Sequence, residues 1–223
     1  VRAFNYPGFN IGKEHAKAVA DLCLAPYLVA MQPPFSLQPV LETTAITLLP
    51  LQPTDFADLY AVAADPKIWE QHPNKNRWQQ DVFATFFEGA IQSSGAFKVV
   101  DNVTGATLGS TRLYDYNPAA NSILIGYTFY GTASWGRGVN LAAKALLLNY
   151  VFQFADTVRF HIGADNVRSQ IAIQRLGARK VAEQEITYYG EQPKLNFVFE
   201  LPKQVWAARP ASAQAATATS ASS

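Results

Sequence analysis

The residues with the clearest chemistry sit in one short loop, Trp135-Gly136-Arg137-Gly138-Val139-Asn140. An apolar run, SILIGYTFY, precedes it, and an apolar helical segment, LAAKALLLNYVF, follows. Glycine tolerates backbone conformations that other residues avoid, and a helix start presents unpaired N–H groups beside the positive end of its dipole. With the charge of Arg137 added, such a loop suits an anion, and a pyrophosphate fits electrostatically. The competing reading is a tight turn in which glycine only supplies positive φ. Spacing alone weighs the two evenly. The loop is not a Walker loop, because no Gly-Lys-Ser/Thr follows. Nor is it a dinucleotide fingerprint: the glycine pattern is too short and no acidic residue stands at the right strand end.

Other chemistries are poorly supplied. The chain has one cysteine, Cys23, so it has neither an internal disulfide nor a thiolate metal cluster. His15, His72 and His161 lie far apart without zinc-like spacing, and no metal site is expected. A formal net charge of +1 argues against a dedicated nucleic-acid binder. No apolar run is long enough to span a bilayer. Glu14, His15, Lys17, Asp21 and Pro26 interrupt anything resembling a signal peptide. A soluble protein of the cytoplasm is expected. With 49% hydrophobic residues the chain can bury a sizeable core.

The elements around the loop follow from periodicity and punctuation. Residues 1–38 read as an extension and proline-bearing linker. The Ala/Ser/Thr-rich residues 204–223 read as a disordered tail. Between them, residues 39–203 make the domain. Thr43 to Leu49 reads as a strand. Pro53, with Thr54 or Asp55 as N-cap, opens a helix to about Ala64. Trp78, Val82, Phe83, Phe86, Phe87 and Ile91 recur at helical spacing, closed by Gly95. AFKVVDNVTGATLGSTRLYDY reads as a hairpin turning at Asp101–Gly105. Then come the strand NSILIGYTFY, a helix from Asn140 to Ala155, and the strand TVRFHIGA. A helix ended by Gly177 follows, and two last strands, KVAEQEITYY and KLNFVFEL, turn at 190–193. The order β-α-α-β-β-β-α-β-α-β-β predicts a mixed α/β fold, a twisted sheet of six to seven strands with helices on both faces.

WGRGVN, its helix, the strand RFHIGADN and the segment NVRSQIAIQRLGA together resemble the GNAT superfamily of acyl-CoA-dependent N-acetyltransferases. LLPLQPTDFADLY and VTGATLGSTRL are similar to opening pieces of its RimJ/RimL-type branch, and the resemblance runs from about Glu42 to Leu201. It implies acetyl-CoA as cosubstrate and an amine as acceptor, a protein N-terminus or a small molecule. The family's loop reads Gln/Arg-x-x-Gly-x-Gly/Ala and holds the coenzyme A pyrophosphate on backbone N–H groups. Here Trp135 and Asn140 depart from that pattern while Gly138 keeps its central glycine. The backbone donors of Gly136, Arg137, Val139 and Leu141 do not depend on side chains, and Asn140 can still N-cap the helix. The resemblance also places Asn166 on the pantetheine arm, with Ser169 near it. Asn166 as a plain helix N-cap is the alternative.

In the reaction so implied, a neutral amine attacks the thioester and a strand N–H near Phe129 or Tyr130 polarises the carbonyl. Two family groups are missing: Leu124 and Ile173 stand where relatives often carry acid–base side chains. Glu70, His72 and Asp115 are the candidates for a water-linked base. Each is also readable as an ordinary surface residue. His161, alternating with Phe160 and Ile162, reads as structural. An α-amine, of pKa roughly 8 against about 10.4 for lysine, needs less help from a base. The alternative function is a non-catalytic acyl-CoA-binding or sensing module, and a scaffold without cosubstrate is a third reading. No nucleic-acid or membrane partner is expected, and oligomeric state is left open, a homodimer included.

Overall fold

The computed structural model describes residues 33–188, 192–210 and 214. Its frame is a single sheet of eight strands in the order β1-β2-β3-β4-β5-β6-β8-β7. The strands are β1 (Leu41–Glu42), β2 (Ile46–Pro50), β3 (Ala96–Asp101), β4 (Thr107–Asn117), β5 (Ser122–Tyr130), β6 (Thr157–Gly163), β7 (Arg179–Ile186) and β8 (Lys194–Pro202). The helices are α1 (Phe56–Ala63), α2 (Gln80–Gln92), α3 (Val139–Val151), α4 (Val167–Gln174) and α5 (Lys203–Ala207). The strand beyond the expected six to seven is β1, too short to show a period, paired through Leu41↔Leu48 and Glu42↔Thr47.

Apolar residues on the two sheet faces gather into two clusters. One holds Leu147, Leu148 and Val151 of α3, Ile173 of α4 and Trp206 of α5. The other holds Leu59 and Ala63 of α1, Phe83, Phe86 and Phe87 of α2, and Trp69 and Phe129. Phe35 stacks on Phe154 at 4.7 Å, and Tyr150 donates to Ser36 O at 2.8 Å. The end of the expected linker therefore belongs to the domain. So does the start of the expected tail: α5 forms there and buries Trp206, whose Nε1 donates to Asn149 Oδ1 at 2.8 Å. The remaining readings of 1–32 and of most of the tail lie outside the described residues.

Three local readings change. Trp78 is 39% exposed and precedes α2 instead of joining its apolar face. Gly95 does not close that helix in a left-handed conformation; Ser94 does, at φ 48°. Gly95 is needed for a close approach instead, since a Cβ there would meet Leu113 O at 2.0 Å. Helix α3 begins at Val139 with Gly138 as its N-cap (φ 79°) and stops at Val151. Asn140 is thus inside the first turn and is not the cap.

Sheet topology makes the site. All pairings are antiparallel except β5 with β6, which run parallel and pair only at Ser122↔Thr157, Ile123↔Val158 and Leu124↔Arg159. Beyond Leu124 the two strands part. β5 also carries an extra residue against β4: Arg112 faces Gly126, while Ser110 faces Phe129. Tyr127 occupies this bulge with φ 52°, a conformation that costs a non-glycine residue about 1–2 kcal/mol.

Candidate active site

Where β5 and β6 separate, a cavity of about 490 Å³ opens, within the range of small-molecule sites. Ile125–Tyr130 line one side and Phe160–Gly163 the other. The glycine loop and the first turn of α3 lie at one end, with Asn166 and Ser169 of the α4 start beside them. Of the residues expected around a cosubstrate, Phe129, Tyr130, Trp135, Gly136, Gly138, Val139, Asn140, Leu141, Asn166 and Ser169 all line this cavity. Arg137 does not: it is exposed, and its charge acts on Asp101 in the β3–β4 turn.

Gly136 and Gly138 have φ of 76° and 79°, so the turn does require glycine. Their Cβ directions meet nothing within 4 Å, and that face of the loop is open. The helical hydrogen bonds of α3 begin with Ala142 N to Gly138 O at 2.9 Å, leaving the N–H groups of Val139, Asn140 and Leu141 without an intrahelical acceptor. The buried Asn140 Oδ1 has no hydrogen-bond partner. Open backbone and free N–H donors in one concave surface fit a pyrophosphate-bearing ligand, whereas the Asn140 oxygen, an acceptor, calls for a donor. Asn166 does cap its helix, accepting from Ser169 N at 3.1 Å, while facing the cavity. Trp135 Nε1 donates to Tyr130 O at 3.1 Å, and the Arg168 guanidinium lies 4.1 Å from the Trp135 ring centre.

The expected base candidates separate. Glu70 and Asp115 are exposed and do not line the cavity. His72 lines it but is tied: Nδ1 lies 2.9 Å from Asn74 N, and Nε2 lies 3.1 Å from Arg77 Nη1. Burial, and then the Arg77 charge, hold its pKa well below the ordinary value. It is neutral near pH 7, with both nitrogens engaged. His161, read from sequence as structural, faces the cavity. Burial lowers its pKa, Asp115 opposing and Arg159 reinforcing that shift.

Around the bulge, Arg112 lies 3.9 Å over the Tyr127 ring and donates to Gly89 O at 3.1 Å, its pKa drawn down to about 10 by burial. A Cβ on Gly126 would sit 2.9 Å from Tyr114 Oη. Burial pushes that phenol well above its ordinary pKa, so it stays protonated. Tyr130, also in the wall, is shifted up by burial, and its hydroxyl is buried without a partner. No aspartate or glutamate lines the cavity among the described residues.

Fold and cleft together define an acyltransferase. A family description, acetyltransferase (GNAT) domain, matches residues 45–179, more than half of the chain, and the chain belongs to that family. Solved structures agree on the fold. A GCN5-related N-acetyltransferase from Brucella melitensis is 20% identical, with a TM-score of 0.68 over 79% of this chain and 83% of its own. A GNAT-family structure from Chromobacterium violaceum is 21% identical, with a TM-score of 0.68 over 81% and 95%. Spermidine N-acetyltransferase from Vibrio cholerae, solved with CoA and spermine, is 14% identical, with a TM-score of 0.57 over 74% and 99%. No curated protein matches the chain by sequence.

Proposed function

We propose that this protein transfers an acetyl group from acetyl-CoA directly to a primary amine, an α-amine at a protein N-terminus or on a small molecule. The observation that carries this reading is the parting of β5 and β6 onto the open glycine loop at the start of α3. In it, the N–H groups of Val139, Asn140 and Leu141 hold the pyrophosphate, and Asn166 and Ser169 flank the pantetheine arm. Of the two candidate strand donors, Phe129 N–H lies on the β4 side of the ladder, so the main-chain N–H of Tyr130, just past the bulge and turned away from β4, is the one aimed at the acyl oxygen as its charge grows. Acetyl-CoA supplies the activated thioester.

For proton removal we assign His161. It faces the cleft and is held neutral at working pH, whereas His72 is bound on both nitrogens and Glu70 and Asp115 lie outside. An α-amine, with a pKa of roughly 8, asks little of such a base. The wall also bears on the acceptor. It contains Arg77 and Arg168 but no carboxylate among the described residues, which disfavours a polycation such as spermidine. A neutral or carboxylate-bearing amine suits it better. A Vibrio cholerae structure described as a ribosomal-protein-serine acetyltransferase, 21% identical, supports the RimJ/RimL-like variant of this reading.

Calorimetric titration with acetyl-CoA, on wild type and Gly138→Trp, tests the first half. Binding that the substitution abolishes is expected. No binding to wild type would leave the loop a turn and remove the function. An amine panel including peptides then tests transfer. Tight acetyl-CoA binding without any turnover would favour the acyl-CoA-sensing alternative, for which Ile173 and Leu124 in place of acid–base groups are the motive.

A further inference from the structure

Helix α3 carries a lysine on its buried face. Lys144 is 3% exposed and sits among Ala143, Ala145, Leu147 and Leu148, all fully buried. It has no ion-pair partner among the described residues. Its Nζ donates to Thr128 Oγ1 at 2.7 Å and to Thr111 Oγ1 at 3.3 Å. The two hydroxyls are 2.8 Å apart, and Thr128 Oγ1 donates on to Gly126 O at 3.3 Å. Lys144 and Thr128 both line the cavity.

These residues mark the irregularity in the sheet. Thr111 lies between Ser110 and Arg112, the two β4 residues that bracket the slipped register. Thr128 lies on β5 between Tyr127, with its positive φ, and Phe129. An extra strand residue leaves the ladder locally unpaired and free to relax. Here one amine ties both strands at that point from the helix beneath. An apolar side chain would fill the same space without desolvating an amine, so packing alone does not account for a lysine.

We infer that Lys144, through Thr128 and Thr111, is a positioning residue that fixes the β5 bulge and so aims the Tyr130 N–H group at the acyl carbonyl. It touches the strand and not the reacting atoms. This rests on the acetyl-CoA reading above. Lys144→Met keeps the length and removes the hydrogen bonds. Thr128→Val removes the receiving hydroxyl, and Thr128→Ser keeps it.

The test is isotope-edited infrared spectroscopy of acetyl-CoA labelled with ¹³C at the thioester carbonyl, bound to each protein, beside calorimetric Kd values. In wild type the carbonyl band is expected at lower wavenumber than in free acetyl-CoA. In Lys144→Met and Thr128→Val it returns toward the free position while Kd stays within about threefold, and Thr128→Ser keeps the wild-type band. With an amine substrate in hand, kcat falls about 10- to 100-fold in the first two variants, below the loss of a whole oxyanion donor, with KM for acetyl-CoA little changed. The double variant falls no further than either single one, because both cut the same link. A Lys144→Met band that stays at the wild-type position at unchanged Kd overturns the inference and leaves the acetyl-CoA reading standing. Absence of binding to wild type overturns both.

Discussion

Lys144 has a thermodynamic signature that can be read without any substrate. Burial draws its pKa down to about 7, against about 10.4 for a lysine in an unfolded chain. Between those values the unfolded chain binds a proton that the folded protein does not, so stability rises with pH. The contribution is present above the unfolded value and is lost as pH falls through about 7. Half-titration at pH 7 followed by a full slope gives a gain of about 2.3 kcal/mol between pH 7 and pH 9. Competing groups bear mainly outside pH 7 to 9: the depressed His72 and His161 add their own rise up through the ordinary imidazole range, and the raised Tyr114 and Tyr130 act from about pH 10 upward. Urea unfolding at pH 7, 7.5, 8 and 9, above the histidine range, followed by tryptophan fluorescence, measures the slope in wild type and in Lys144→Met. The wild-type curve should climb across that window and the variant's should stay flat. Parallel curves would mean that Lys144 stays charged in the folded state and that its burial does not control its protonation.

Other outcomes follow from the same geometry. His161→Asn should lower kcat about 10²- to 10⁴-fold with acetyl-CoA affinity unchanged. With the amine's own titration at roughly pH 8 divided out, the wild-type rate should persist to pH values below the ordinary imidazole range before falling with acid, because the base is lost only as pH drops through a lowered pKa. Gly163→Ala should cost about 1–3 kcal/mol of stability by calorimetric Tm and raise the KM of the acceptor, because its Cβ would lie 2.3 Å from Pro73 Cγ in the loop that walls the cleft. Trp206→Ala should cost about 3–5 kcal/mol in urea unfolding, as α5 would lose its buried anchor and its bond to Asn149.

Much of this was legible before the structure. The glycine loop, the helix behind it and the strands on either side appear in the order periodicity implies, because alternation and helical spacing report directly on which face is buried. Exact helix starts were harder. Asn140 is a good capping residue by type, yet Gly138 takes the cap because only the left-handed turn at 136–138 can swing the chain from β5 into α3. Gly95 shows the same limit: its close approach to Leu113 is a tertiary fact that no local pattern carries. The cavity-facing position of His161 is not legible, because strand alternation gives the face of a residue but not that the neighbouring strand has swung away there. Lys144 left a readable trace, four residues before Leu148 and seven before Val151 on one helical face. A charged residue on that stripe is the kind of exception that marks a site.

The parting of β5 from β6 has a mechanical meaning. Three residue pairs join the five strands β1–β5 to the three strands β6, β8 and β7. The sheet is therefore two plates sharing a short seam, and the rest of their edge is left to be bridged by something else. A ligand chain lying in that gap with amides of its own would act as the missing rungs. It would stiffen both plates at once, so protection from amide exchange should spread on binding well past the residues it touches.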